Sequence, residues 1–455
     1  MKQRAVIGAR IFDMTILAVG IILATYALYR LVADYWMGTG ESDFTVYYAA
    51  AERWLGGTSL YVAGQGFIYP PPAVMLFVPL TTFSCHAAYI VFSALSYVFL
   101  AGSLLMLRAW FRAEGVSVTG GRAWVWVVLV LALAPTFENA AWGQVNTIVL
   151  FCAVAFFLLQ VKGCWRVAGA ILAVGTWLKI YPALLLLSLV WAERQTTGGR
   201  VPEPGWHASA PEGSCRNYKA IMSAIMASPA FRTLEGFLLG LILVPLVLYP
   251  LLSPDAYYEF IVRVLPDVSG IAAPRLMNQS VIGALVRWSL GPVVPTLNIA
   301  LPLDAWIELT NKILFLAALI GLTFWARREP AWQSGGKEAS GEGATRGGGR
   351  SLRAKVLLLA CIPVFSPFGW SYTYVMTYPL ILWVSTMVRG RFARLMSVGC
   401  GIALMVPAHH VIPLSVNLPV SLSHLVYSRY LLAVALLALI VVRTHGRRYT
   451  LLNRN

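Results

Sequence analysis

The feature that most constrains this chain is the recurrence of apolar stretches too long and too numerous for the interior of a water-soluble domain. Such stretches lie near 11–33, 87–107, 123–135, 144–160, 166–178, 182–191, 231–252, 307–326, 354–366, 370–388, 395–413 and 424–443. A membrane span needs roughly 20 mostly apolar residues, and fewer where helices are broken or re-entrant. The pattern predicts an all-α polytopic membrane protein, a single integral membrane domain over 1–455 with about 12 transmembrane helices, some of them short or broken. Composition points the same way. Hydrophobic residues make up 58% of the chain and charged residues 12%, whereas soluble domains run about 45–50% apolar and about 25% charged. A soluble globular enzyme is excluded.

The formal net charge is +16, which in a soluble chain would suggest a nucleic-acid partner. Here the cations sort by topology, and no nucleic acid is expected. With the N-terminus inside, the inner segments are 1–10, 108–122, 161–166, 192–232, 327–355, 389–394 and 443–455. They hold 27 of the 35 Lys and Arg residues. Basic residues of short loops favour the cytoplasmic side, so both termini are expected there, and the membrane is expected to be a bacterial inner membrane. Ten acidic residues fall on the outer half: Asp34, Glu41, Asp43, Glu52, Glu138, Asp255, Glu259, Asp267, Asp304 and Glu308. No cleavage site follows the first apolar stretch, and that helix is expected to remain.

Three loops interrupt the apolar pattern. Residues 192–230 and 327–353 are predicted flexible cytoplasmic connections, the second rich in Gly. Residues 34–86 are an outer loop. Within it, Ser42 or Asp43 is a plausible N-cap of a short amphipathic helix that Gly56-Gly57 ends. The 13 apolar residues ending at Phe83 are too few to span, and predict an interfacial helix roofing a cavity. Around Trp177-Leu178-Lys179-Ile180-Tyr181-Pro182 the chain breaks, because Pro182 lacks an N–H and disfavours helix at Tyr181. Two half-length helices with Lys179 at their outer turn keep the downstream cations inside. The six cysteines, Cys85, Cys152, Cys164, Cys215, Cys361 and Cys400, form no C-x-x-C pair and indicate neither a disulfide nor a zinc site. No P-loop or dinucleotide fingerprint occurs.

Polar groups in or beside a bilayer are costly unless they serve a site or path. On the outer side they gather: Asp43 and Tyr47 on one helix face, then Gln144 and Asn146, Lys179, Arg275 with Asn278, Gln279 and Arg287, and Tyr372. Each has a structural alternative. Asp43 can cap its helix, Gln144 and Asn146 can bond between helices, Lys179 can snorkel to headgroups, and Arg287 can pair with Asp267. Together, one acid, several cations and several amides on one face suit a different task. A carboxylate beside hydroxyl-binding aromatics can act as general base for an alcohol, and Lys and Arg can hold a phosphate. Broken helices with polar residues also mark transporters or flippases, but those place such residues near the midplane and commonly show paired halves.

The ordered elements Asp43-Phe44-x-x-Tyr47-Tyr48-x-Ala50, Phe67-x-Tyr69-Pro70-Pro71, Trp142-Gly143-Gln144-x-Asn146, Leu178-Lys179-x-Tyr181-Pro182, Asn278-Gln279-Ser280 and Ser366-Pro367-x-x-Trp370 resemble glycosyltransferase family eighty-seven. The resemblance runs from about residue 40 to 380. It implies a GT-C class membrane enzyme that takes a sugar, mannose or a related hexose, from a polyprenyl-phosphate donor to a glycolipid or glycan acceptor on the extracytoplasmic side. A pentose such as arabinofuranose is the alternative. By the same resemblance Asp43 is the catalytic base. Lys179 matches the family's lysine after the broken helix, and it is expected to bind the donor phosphate together with Arg275 and Arg287, which are chosen for their charge and outer position, with Arg263 a lesser candidate. Asn278 and Gln279 match the family's Asn-Gln-Ser element, and they and Tyr47, Gln144, Asn146 and Tyr372 are expected to bind sugar or acceptor. No cofactor and no metal are expected. Many family members read His-His after the Ser-Pro-x-x-Trp element, where this chain has Tyr372 and Thr373.

Overall fold

The computed structural model describes residues 43–62, 66–116, 118, 120–192, 222–223, 225–275, 277–290, 301–328, 349–387, 391–406 and 420–443. The expected crossing 11–33, Ser42, and the greater part of the 192–230 and 327–353 loops lie outside the described residues. Numbered along the chain, the helices of eight residues or more are α1 (Asp43–Leu55), α2 (Cys85–Ala113), α3 (Gly120–Ala132), α4 (Ala134–Ala141), α5 (Asn146–Val161), α6 (Trp165–Leu178), α7 (Pro229–Leu248), α8 (Val281–Leu290), α9 (Ala305–Arg328), α10 (Gly349–Phe365), α11 (Tyr378–Met387), α12 (Arg391–Met405), α13 (Val420–Tyr427) and α14 (Arg429–Arg443). The extended structure among the described residues is one antiparallel pair of two-residue strands, Ile271–Ala272 with Leu301–Pro302, and an isolated bridge from Asn278 to Trp370.

The protein is an integral membrane protein. Helices α2 and α7, and α9 over Ala305–Ala326, are long and apolar enough to cross a bilayer. At 1.5 Å per residue the 20 residues of α7 reach about 30 Å, the thickness of a hydrocarbon core. Their outward faces are strings of exposed apolar side chains, such as Val98 and Leu105 on α2, Ile242, Leu246 and Val247 on α7, and Leu309, Leu316 and Phe324 on α9. Water would penalise that surface; lipid does not. At one end, exposed Tyr249, Tyr258, Trp288 and Trp306 form the amphipathic aromatic set that sits at headgroup level. This is the end that the bias of Lys and Arg predicts to lie outside, and the labels outer and inner below follow that expectation.

The shorter segments behave differently. Helix α5 is apolar all round and almost wholly buried, as expected of a helix at the centre of a bundle. Helices α6 and α7 cross in very close contact: a Cβ at Gly169 would overlap the Thr233 carbonyl, and one at Gly236 the Arg166 carbonyl. Such small-residue interfaces let helix backbones meet where no hydrophobic force separates protein from lipid. The half-length segment after Lys179 is a 3-10 helix, Tyr181–Ser188, continued by four α-helical residues to Ala192. The 3-10 rise of about 2.0 Å per residue stretches these few residues to about 22 Å. Trp191 Nε1 donates to Thr323 Oγ1 (3.3 Å) in the last turns of α9, so the segment returns to the inner end while Lys179 stays at the outer. Ser371–Thr377 is likewise a 3-10 helix running into α11, which lengthens another short crossing.

One expectation is revised. The apolar stretch before Phe83 is two consecutive 3-10 helices, Pro71–Leu76 and Val78–Thr82, rather than one interfacial α-helix. Pro70, Pro71, Pro72 and Pro79 withhold the N–H groups that a continuous α-helix requires. Both 3-10 helices pack on the bundle, because Ala73, Val74 and Phe77 are buried against α1 and α2. Phe44 of α1 meets Phe77 and Phe92 at ring separations of 6.1 and 5.6 Å.

Candidate active site

The site is built from four pieces of chain that converge at the outer end. The first is the start of α1, where Asp43 occupies the first turn and Phe44 is fully buried. The second is the turn after α4. Phe44 N–H donates to the Trp142 carbonyl (3.1 Å), and Asn139 grips the Gln144 backbone twice, its Nδ2 donating to the Gln144 carbonyl (3.0 Å) and its own carbonyl accepting the Gln144 N–H (2.8 Å). Gly143 between them has φ +62° and lies so close to Phe44 that a Cβ would collide with the Phe44 side chain. Only glycine meets both demands, and the consequence is that Gln144 points at Asp43.

Lys179 supplies the third piece. Helix α6 stops at Leu178 and Lys179 is extended, as the Pro182 break predicts. Its ammonium donates to Gln144 Oε1 (3.1 Å) and Asn146 Oδ1 (2.9 Å), and Tyr181 OH donates to the same Asn146 oxygen (2.9 Å). The fourth piece is the 3-10 helix Ser371–Thr377, from which Tyr372 OH donates to Asp43 Oδ2 (3.0 Å). Gln144 Nε2 donates to that same oxygen. Asp43 Oδ1 accepts nothing from the described residues.

An open cleft of about 160 Å³ lies in front of Asp43, lined in part by Tyr47, Tyr69, Trp142, Arg275, Trp370 and Tyr372. Asp43 is the one carboxylate among its described lining residues. Tyr47 OH donates to Tyr69 OH (2.6 Å), and Tyr69 OH donates onward to Gln144 Oε1 (3.3 Å). Burial pushes the Asp43 carboxyl above its ordinary value, against the opposing pull of the Tyr372 bond, the Lys179 charge, the Gln144 bond and Arg275. Burial also brings the Lys179 ammonium down to about 7, with Asp43 acting to raise it. Tyr47 and Tyr69 are driven upward by burial and stay protonated at neutral pH, as donors.

The structure brings Asp43, Tyr47, Arg275 and Tyr372 together on the cleft. Gln144, Asn146 and Lys179 stand one layer behind it. It does not bring Asn278, Gln279 or Arg287 to the cleft wall. Asn278 Nδ2 donates to the Ala273 (3.0 Å) and Pro367 (3.1 Å) carbonyls. Gln279 Nε2 donates to the Tyr427 carbonyl (2.6 Å) and its Oε1 accepts the Tyr430 N–H (3.1 Å). Arg287 is 1% exposed and donates to the carbonyls of Arg275 (3.1 Å) and Asn278 (2.6 Å). Ser371 N–H donates to the Met277 carbonyl (2.7 Å) and Gln279 N–H to the Gly369 carbonyl (2.8 Å). The Asn-Gln-Ser and Ser-Pro-x-x-Trp elements are thus one clamp that holds Arg275, Trp370 and Tyr372 in the wall. Buried polar side chains find partners wherever they lie, so amides in a motif are as apt to bind the protein's own backbone as a sugar. Arg263 pairs with Glu259 and donates to the Tyr61 carbonyl (2.8 Å), away from Asp43.

Residues left without a role by sequence reasoning are Tyr69, Trp142 and Trp370. Each sat in a motif; what signals its part is its ring in the wall. Among the described residues no three His, Cys, Asp or Glu side chains come together as a metal site.

A family model described as Glycosyltransferase family 87 matches residues 67–338. Gln144, Lys179 and Arg275 fall inside that range and Asp43 and Tyr372 outside it. Two curated relatives carry the name polyprenol-phosphate-mannose-dependent alpha-(1-2)-phosphatidylinositol mannoside mannosyltransferase. That of Mycobacterium tuberculosis is 27% identical over 367 residues, covering 75% of this chain and 69% of its own. That of Mycolicibacterium smegmatis is 24% identical over 400 residues, covering 80% and 75%.

Proposed function

The chain belongs to glycosyltransferase family 87, and from that premise we propose that it transfers mannose or a related hexose from a polyprenyl-phosphate donor to a glycolipid on the extracytoplasmic face of a bacterial inner membrane. The donor class and a phosphatidylinositol mannoside type of acceptor follow the names of the relatives. The observation that carries the mechanism is the lone cleft carboxylate, Asp43, whose Oδ2 is held by Tyr372 and Gln144 while Oδ1 is left to the cleft.

The reaction is a single inverting displacement. The acceptor hydroxyl gives its proton to Asp43 Oδ1 as its oxygen bonds to the anomeric carbon. The bond from that carbon to the phosphate oxygen breaks, and its electron pair leaves with the polyprenyl phosphate. Arg275, in the cleft wall and half-buried, meets the departing phosphate, a site where fixed positive charge stabilises the transition state. Phosphate is already a good leaving group, so the scheme calls on no general acid, metal or cofactor. Tyr47, Tyr69 and Trp370 offer hydroxyl groups and ring faces to the sugars. Tyr372, in the place of a family histidine, gives Asp43 a neutral donor.

The test is to supply the purified protein, in lipid, with a panel of polyprenyl-phosphate hexoses and pentoses. Transfer from a hexose donor with inversion at the anomeric carbon is expected. Retained configuration would refute the single displacement, and exclusive use of a pentose donor would replace the hexose reading.

A further inference from the structure

The cation nearest Asp43 does not stand where a phosphate would meet it. Lys179 is walled off by aromatic rings: its ammonium lies 5.3 Å from the ring centre of Tyr69 and 5.8 Å from that of Tyr372, and both rings line the cleft. Two of its hydrogen bonds are spent inward, on Gln144 Oε1 and Asn146 Oδ1. Asn146, fully buried, holds Lys179 and Tyr181 on one oxygen. Gln144 then has a single sensible orientation. Its carbonyl oxygen faces an ammonium and the Tyr69 hydroxyl, so its NH₂ faces Asp43.

We propose that Lys179 acts on Asp43 through Gln144, as a positioning and polarising residue for the base, and does not itself bind the donor phosphate. The proposal rests on the reading of Asp43 as general base. A positive charge on the oxygen side of an amide makes its N–H a stronger donor, and hydrogen bonds in series reinforce one another where the dielectric is low. The stronger donor holds Oδ2 in place and favours the ionised carboxylate, which leaves Oδ1 directed at the acceptor. The arrangement uses an amide where a catalytic triad uses an imidazole. It orders the base and accepts no proton from it. The titratable groups that face Asp43 are Tyr47 on its own helix, Tyr69 from the loop before the two 3-10 helices, Lys179, Tyr372 and Arg275.

The two roles for Lys179 separate in the pH dependence of kcat/KM for the donor, measured on full-length protein in lipid. For Lys179→Met and for Gln144→Leu the acid limb is expected to move to higher pH by about one pH unit, with the donor KM little changed. The double variant is expected to move no further than Gln144→Leu alone, because one path carries both effects. Lys179→Gln serves the same purpose should Lys179→Met fail to fold. A donor KM raised about tenfold with an unmoved acid limb in Lys179→Met, as a lost phosphate contact would give, overturns the proposal. So do fully additive shifts in the double variant, which would mean that the charge reaches Asp43 without Gln144. Asp43→Asn is run alongside: near-normal turnover there defeats the base assignment itself, whichever way the Lys179 variants behave.

Discussion

The protein places a lysine near an acid at both ends of its bundle, and the two pairs differ in their spacing. At the inner end Lys355 Nζ touches Glu114 Oε1 at 3.2 Å, with Trp110 Nε1 donating to the same oxygen (3.3 Å) and the ammonium 5.7 Å from the ring centre of Phe157. At the outer end the Gln144 amide stands between Asp43 and Lys179. A direct pair sets the two opposite charges in contact, and Glu114 Oε2, which accepts no bond from the described residues, is buried away from any cleft, which suits a tie between α2 and α10. A pair spaced by an amide still pulls the acid toward its ionised form, against the larger effect of burial, and leaves one of its oxygens to a cleft. The inner pair is enclosed, and the outer pair opens on one side. In the proposed reading the same two residue types serve structure in one place and chemistry in the other, and the spacing separates the two.

The largest effect should come from breaking the outer pair at its acid. Asp43→Asn is expected to lower transfer roughly 100- to 10,000-fold, the range for loss of a general base, while leaving the protein folded. Since burial holds the Asp43 carboxyl above its ordinary value, ionising it costs the folded state. The asparagine variant is therefore expected to melt higher at neutral pH, and this advantage should vanish as pH falls below the ordinary carboxylate range. Thermal denaturation in detergent measures it.

Breaking the inner pair should do the reverse. Lys355→Met leaves Glu114 buried without its cation, and loss of about 3–5 kcal/mol of stability is expected, with kcat per folded molecule unchanged. Replacing Glu114 with Gln in the same chain should recover part of the loss. Recovery of nothing would mean that Lys355 stabilises by packing on Phe157 and not by charge.

Arg275→Ala is expected to raise the donor KM roughly tenfold, as loss of a hydrogen bond to a charged group does, with little change in the acid limb of the pH profile. An unchanged KM would move the phosphate elsewhere. The smallest effect concerns pH and stability. Burial brings Lys179 from 10.5 to about 7, so between those values the unfolded chain binds a proton that the folded chain lacks. Stability should rise with pH across that window, and Lys179→Met should flatten the slope relative to wild type.

Much of this was legible in the chain. Apolar runs and the bias of Lys and Arg dictate membrane insertion and predict which loops share a side, because the cost of burying charge in hydrocarbon is paid residue by residue. The break at Lys179 could be read from Pro182 alone. The gathering of Asp43, Gln144, Lys179 and Arg275 at one end could be read from the charge-derived topology, because topology carries a residue to an end whatever it touches there. The apolar run before Phe83 predicts a single helix, whereas its prolines divide it into two 3-10 helices.

What only the tertiary structure decided is which of the gathered polar groups face the cleft. Asn278, Gln279 and Arg287 lie in a motif beside Arg275, yet their bonds go to carbonyls and N–H groups of the protein itself. Gln144 and Lys179 sit behind tyrosine rings that line the wall. Residue type states how many hydrogen bonds a side chain can make, and membrane burial requires that they be made. With whom they are made is a matter of three-dimensional neighbours separated by up to hundreds of residues, such as Tyr372 and Asp43. Sequence therefore determines that this end of the molecule is polar, while packing determines that one oxygen of one aspartate is left open to the cleft.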